Sequence, residues 1–185
     1  MKKTVLTFGL ISGAILSAMM LATLPFLDRI GFDRGEIIGY TSMVVAFLLF
    51  FFGVRSYRDN VAGGTVGFGR ALAVAVLISV VASLCYVATW EVIYYKVAPD
   101  FGTKYQNHIL DKARKNGEGE EAIARKKAEL DGFLELYRNP AINVAITFLE
   151  PLPVALIVSL VSAGVLSRRR RPALETLGRT YNPQP

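Results

Sequence analysis

Two carboxylates stand in apolar surroundings in this 185-residue chain: Glu91, just after Trp90, and Glu150, the first residue of Glu150–Pro151–Leu152–Pro153. A carboxylate inside a bilayer costs about 2.5–3.5 kcal/mol on insertion scales, and such groups often line substrate or proton paths. Pro151 and Pro153 each lack an amide donor, so a helix that carries them kinks or unwinds there. Broken helices are also where transporters build ion sites. The chemistry on offer is proton or cation handling. The plainer reading has Glu91 reaching the headgroups beside Trp90, and Glu150 bonding backbone groups that the prolines free.

Other chemistry finds little support. Gly63, Gly64, Gly67 and Gly69 lead into Arg70–Ala71, where a phosphate loop needs a lysine followed by Ser or Thr, so these glycines read as a sharp turn. His108 is the single histidine and reads as a solvated side chain, which leaves no ordinary zinc site and no Ser–His–Asp triad. Cys85 is the single cysteine, so no intrachain disulfide exists, and it reads as a small buried apolar residue. The sequence therefore names no catalytic residue, no metal ligand and no cofactor, and the expectation is a protein that is not an enzyme.

These residues must be positioned by membrane-spanning helices. Hydrophobic residues make up 52% of the chain and the mean hydropathy is +0.39. Their clustering says more than the total, because apolar runs at residues 4–27, 37–54, 71–95 and 141–167 are each long enough for a hydrocarbon core of about 30 Å. The first run, behind Lys2 and Lys3, is too long for a secretory leader and has no good cleavage site. The third run ends in Tyr86, Trp90, Tyr94 and Tyr95, aromatics that mark a membrane interface. Between the third and fourth runs lies a polar insert, residues 96–139, with weakly amphipathic stretches at about 101–115 and 120–138 separated by Asn116–Gly117. It predicts helices lying over the bundle or among the headgroups. The fold class is all-α: one membrane domain, residues 1–171, built as a four-helix bundle, followed by a disordered tail at 172–185.

Small residues recur every fourth position on two runs, Gly9–Gly13–Ser17 on the first and Ala71–Ala75–Ser79–Ser83 on the third. Such stripes let helices approach closely, so these two helices are expected to touch, although either stripe would also serve a homo-oligomer.

The formal net charge of +6 raises the question of nucleic acid, but the basic residues cluster at helix ends. Lys2, Lys3, Arg55, Arg58, Arg70 and the block Arg168–Arg169–Arg170–Arg171 share one face with few acids, whereas the insert balances its basic residues with acids. By bare totals of Lys and Arg the two faces nearly tie. The dense groups next to helix ends weigh more, and they place both termini in the cytoplasm. The Arg168–Arg171 block would also meet anionic lipid headgroups. Lipid, a second copy of the chain or other membrane proteins are the expected partners, and nucleic acid is not.

Several local patterns resemble a known family: Gly35–Glu36–Ile37–Ile38–Gly39–Tyr40–Thr41–Ser42–Met43, the segment Phe51–Asp59, Gly67–Phe68–Gly69–Arg70–Ala71 and Tyr86–Val87–Ala88–Thr89–Trp90–Glu91. Together they resemble the bacterial membrane proteins grouped as domain-of-unknown-function family 4199. The resemblance covers most of the chain and implies a four-helix envelope protein of bacteria. It supplies no activity and no catalytic residue. The expectation is thus an inner-membrane protein with a structural, accessory or interaction role. The alternative is a small-solute or proton-linked carrier that uses Glu150, Glu91 and the proline break.

Overall fold

A computed structural model describes residues 1–167, and the described residues contain helices and no strand. The expected headgroup anchor at Arg168–Arg171 and the expected tail at 172–185 lie outside the described residues.

Helix α1, Lys2–Thr23, runs without a charged residue after Lys3 until Pro25, which has no amide to donate, tightens the chain into a 3-10 turn at Leu24–Phe26. A single turn of helix, α2 (Leu27–Ile30), then leads into α3, Phe32–Asn60. Helix α3 exceeds the apolar run 37–54 by about three turns in all, because backbone hydrogen bonding does not stop at the bilayer's edge. Its extra turns carry Asp33 at the N-terminus and Arg58 near the C-terminus, each placed favourably for the helix dipole. The next turn uses Gly63 and Gly64 at φ +70° and +88°, a region costly for residues with a Cβ. Helix α4, Phe68–Val92, continues through a π-helical turn, Ile93–Val97.

After α4 come α5 (Phe101–Lys115) and α6 (Glu120–Tyr137), which fold back on each other as a hairpin around Leu110, Ala113, Ile123 and Leu130. The fourth run is two helices, α7 (Pro140–Leu149) and α8 (Leu152–Leu166), interrupted at Glu150–Pro151. Both residues of the break keep right-handed helical dihedrals, so the chain kinks there without unwinding. Pro151 and Pro153 cannot donate to the carbonyls of Thr147 and Leu149, which is the physical cause of the interruption.

Four segments are long and apolar enough to cross a membrane: Lys2–Ile30, Phe32–Asn60, Phe68–Val97 and Pro140–Leu166. The third is the most buried of them, and α4 packs against α1, α3, α7 and α8. Close approach of α1 to α4 depends on glycine. A Cβ at Gly9 would lie 2.6 Å from the Cβ of Val81, and one at Gly13 would lie 2.5 Å from the Cβ of Cys85. A hydroxyl contact finishes this seam: Thr89 donates to the Cys85 carbonyl, so the 2.7 Å contact between Ser17 and Thr89 has Ser17 as donor.

The outward surfaces of the spans carry large apolar side chains such as Ile37, Phe52, Leu84, Ile157 and Val161. In water so much exposed hydrocarbon would drive aggregation, whereas in lipid it is the ordinary outer surface of a bundle. The chain is a multi-pass membrane protein.

A candidate binding cavity under the helical hairpin

The hairpin is not loose in solvent. On its α5 side, Lys104 lies 3.3 Å from Asp28, and Lys112 lies 2.8 Å from Asp33. The carboxylate of Asp33 holds the Lys112 ammonium above its usual pKa, mainly through that hydrogen bond. His108, expected to be solvated, instead sits 3.3 Å from Asp33 with its ring 5.2 Å from that of Phe32. Phe32 also meets Phe101 and Tyr105 edge-on, so one aromatic side chain at the start of α3 anchors the whole face of α5.

On the α6 side the attachment is a directed chain of hydrogen bonds. Trp90 Nε1 donates to Tyr137 Oη at 2.9 Å, and Tyr137 Oη lies 2.8 Å from Thr147 Oγ1. Thr147 spends its one proton on Asn143 Oδ1 at 3.1 Å, so Tyr137 must be the donor to Thr147. Asn143 Nδ2 returns to the Tyr137 carbonyl, which closes the loop. Thr147 and Asn143 are fully buried, and burial pushes the Tyr137 phenol above its usual pKa, which keeps it a neutral donor. Asn139 caps α7 by accepting from the Ala141 amide just before Pro140, and so sets where α6 ends and α7 begins.

Between this hairpin and the bundle lies a cavity of about 490 Å³. Its walls come from the second half of α1, the first half of α3, the last turns of α4, both hairpin helices and the end of α7. The lining is chiefly apolar and aromatic. Among the described residues only two charged ones belong to it, Glu36 and Glu150. Tyr86 Oη donates to Glu150 Oε2 at 2.9 Å and orients that carboxylate on the cavity wall.

The residues singled out in the sequence separate here. Glu150 belongs to the cavity and takes its hydrogen bond from a side chain, not from backbone groups freed by the prolines. Pro151 is buried behind it, and Pro153 is exposed. Glu91 lies outside the lining, and its Oε1 is buried with no hydrogen-bond partner among the described residues. Five residues on a helix turn about 140°, so Glu91 points well away from the face on which Tyr86 meets Glu150. Of the small-residue positions, Gly9, Gly13 and Ser17 all lie on the α1–α4 seam. Ala75, Ser79 and Ser83 are buried too, but the glycines meet the neighbouring face of α4, at Ile78, Val81, Ala82 and Cys85. Ser83 Oγ, like Ser12 Oγ, has no partner among the described residues, so its use there is small volume.

Sequence reasoning missed Glu36 and the inward role of the aromatics. Tyr86, Trp90 and Tyr94, read as an interfacial belt, all line the cavity, with Trp90 bonded to Tyr137 and Tyr94 in edge contact with the Tyr137 ring. The signal was their spacing of four, which sets the three rings on one face of α4.

A bundle of spanning helices with a helical hairpin docked over one end and a cavity beneath defines a class, that of multi-pass helical membrane proteins with a hairpin cap. Within it, the chain belongs to the family described as "Protein of unknown function (DUF4199)", whose model matches residues 7–168. No curated protein and no solved structure matches the chain.

Proposed function

We propose that this chain is an accessory protein of the bacterial inner membrane that holds a ligand or a partner under its hairpin and does not turn over a substrate. Both termini then lie in the cytoplasm and the hairpin lies on the outer face. The observation that carries this reading is the capped cavity, about 490 Å³ with mainly apolar and aromatic walls. Binding sites are commonly of this size and character. Beneath it the bundle axis is filled by Phe47, Phe50, Val54 and Ile78, all fully buried, which favours a holding site over a path through the protein. Charge supports the orientation, because Lys2, Lys3, Arg55, Arg58 and Arg70 all lie at the end opposite the hairpin. The bilayer is one partner, and the apolar outer faces of α3 and α8 suit lipid, a second copy or another membrane protein.

Two measurements test the proposal. In a Cys85→Ala background, Asn116→Cys should react with an impermeant thiol reagent from outside intact cells, and labelling only after lysis would reverse the orientation. In proteoliposomes the purified chain should show no uptake across a broad panel of cationic and neutral solutes. A protein-dependent flux that Glu150→Gln abolishes would overturn the accessory role in favour of a carrier.

A further inference from the structure

The two charged residues in the cavity wall are both acids, in a chain whose net charge is +6. The nearby ammonium groups make their direct contacts elsewhere: Lys104 is engaged by Asp28 and Asp100, and Lys112, close enough to Glu36 to feel its charge, hydrogen-bonds Asp33. Around the acids stand aromatic rings from four different helices, among them Tyr40, Tyr86, Tyr105 and Tyr137. The faces of such rings carry negative electrostatic potential and attract cations within about 6 Å of the centroid, more strongly where water is excluded. The rest of the wall is soft. Met19, Met20 and Met43 all line it, and these are the only methionines besides Met1. Their flexible, polarisable side chains adapt to bulky apolar shapes.

We propose that this cavity binds a lipophilic organic cation, a molecule with a quaternary or delocalised positive charge on an apolar body, held by Glu36, Glu150 and the surrounding rings. The proposal rests on the reading of the cavity as a holding site and names the class of ligand. Each part of the wall has a use in it. The carboxylates neutralise a charge that cannot be shed by losing a proton, the rings pack on its face, and the leucines and methionines receive the hydrocarbon. Among the described residues an anion of the same shape meets two carboxylates on the wall and no basic group. A purely hydrocarbon ligand leaves the carboxylates uncompensated beside it.

The single tryptophan of the chain, Trp90, lines the cavity, so intrinsic fluorescence reads occupancy directly. The full chain in dodecyl maltoside is titrated with tetraphenylphosphonium and, separately, with tetraphenylborate, an ion of the same shape and opposite charge. The expected result is a saturable Trp90 response to the phosphonium that the borate does not reproduce. Glu36→Gln and Glu150→Gln should each weaken the phosphonium by roughly ten-fold, the usual worth of one charged contact. Equal responses to the two ions, or unchanged half-saturation in both variants, overturn the proposal. The comparison of ions needs no variant, so a folding defect cannot mask the answer. Protein-dependent phosphonium uptake above that of empty liposomes would sink the accessory role while leaving the cation site standing. No phosphonium response in a chain without flux would do the reverse.

Discussion

The two ends of this bundle are built on different principles. Toward the Val61–Gly67 turn the helices close on one another. Phe47 and Phe50 stack at 4.6 Å between centroids, and Val54, Val74, Ala75 and Ile78 leave no exposed surface. Under the hairpin the same helices line a cavity of about 490 Å³, and what holds that end together is polar and aromatic. Small residues help to close the first end: Gly9 and Gly53 each bring a neighbouring side chain to where their own Cβ would be. At the second end the rings of Tyr86, Trp90 and Tyr94 project from α4, and Pro25 and Pro151 interrupt the neighbouring spans. One bundle thus combines a rigid base with a top whose walls are available to a ligand. The contrast teaches that dense packing and open volume are divided along the membrane normal.

The largest expected effect comes from paired truncations at the two ends. Phe50→Ala should cost about 3–5 kcal/mol, because a fully buried ring leaves a void the core cannot refill. Met20→Ala, half-buried on a wall that already borders a cavity, should cost clearly less. Unfolding in mixed micelles by a denaturing detergent measures both, and equal losses would erase the distinction between base and top.

Next in size is Asn143→Leu. It removes the partner of the Thr147 hydroxyl and of the Tyr137 carbonyl, and should cost about 1–3 kcal/mol. The loss should appear as faster amide exchange in α6 and α7, with the Phe47–Phe50 region unchanged. Uniform acceleration along the chain would mean that the top is not a separate unit.

The smallest effect is on pH. Lys127, and then Gln106, hold the Asp131 carboxylate below its ordinary 3.8. A carboxylate depressed in the folded state contributes stability that is present above the unfolded pKa and is lost as pH falls through the folded one. Acidification below about pH 4 should therefore loosen the α5–α6 hairpin, and it should not do so between pH 6 and 8. Amide exchange in Phe101–Tyr137, corrected for its intrinsic pH dependence, is the readout. Protection that does not change down to pH 3 would show that the hairpin's packing alone holds it.

Much of this architecture is legible in the chain, and the reasons differ from element to element. The spans are legible because hydropathy is a local property summed over some twenty residues. The hairpin helices expected at about 101–115 and 120–138 appear at Phe101–Lys115 and Glu120–Tyr137, since Asn116–Gly117 punctuates the periodicity. The Gly9–Gly13–Ser17 stripe pointed to a partner helix, and that partner is α4. The face of α4 it meets was not legible, because Ala75–Ser79–Ser83 and Ile78–Ala82–Cys85 are both compatible with close packing. His108 could not be tied to Asp33 either. The two are 75 positions apart, and only the docking of α5 on the start of α3 joins them.

By itself the sequence determined that the chain crosses a membrane, how many times, and that the last span is interrupted at its proline pair, whereas the turn at Pro25 was not foreseen. What it determined follows from local composition and from proline. It also supplied Glu91 and Glu150 as two costly carboxylates, one beside Trp90 and one at a proline pair, without saying whether either faces a cavity. Tertiary structure decided between them: the direction each leaves its helix, and the arrival of Tyr86, Glu36 and the hairpin from distant parts of the chain, make Glu150 a cavity residue and leave Glu91 outside it.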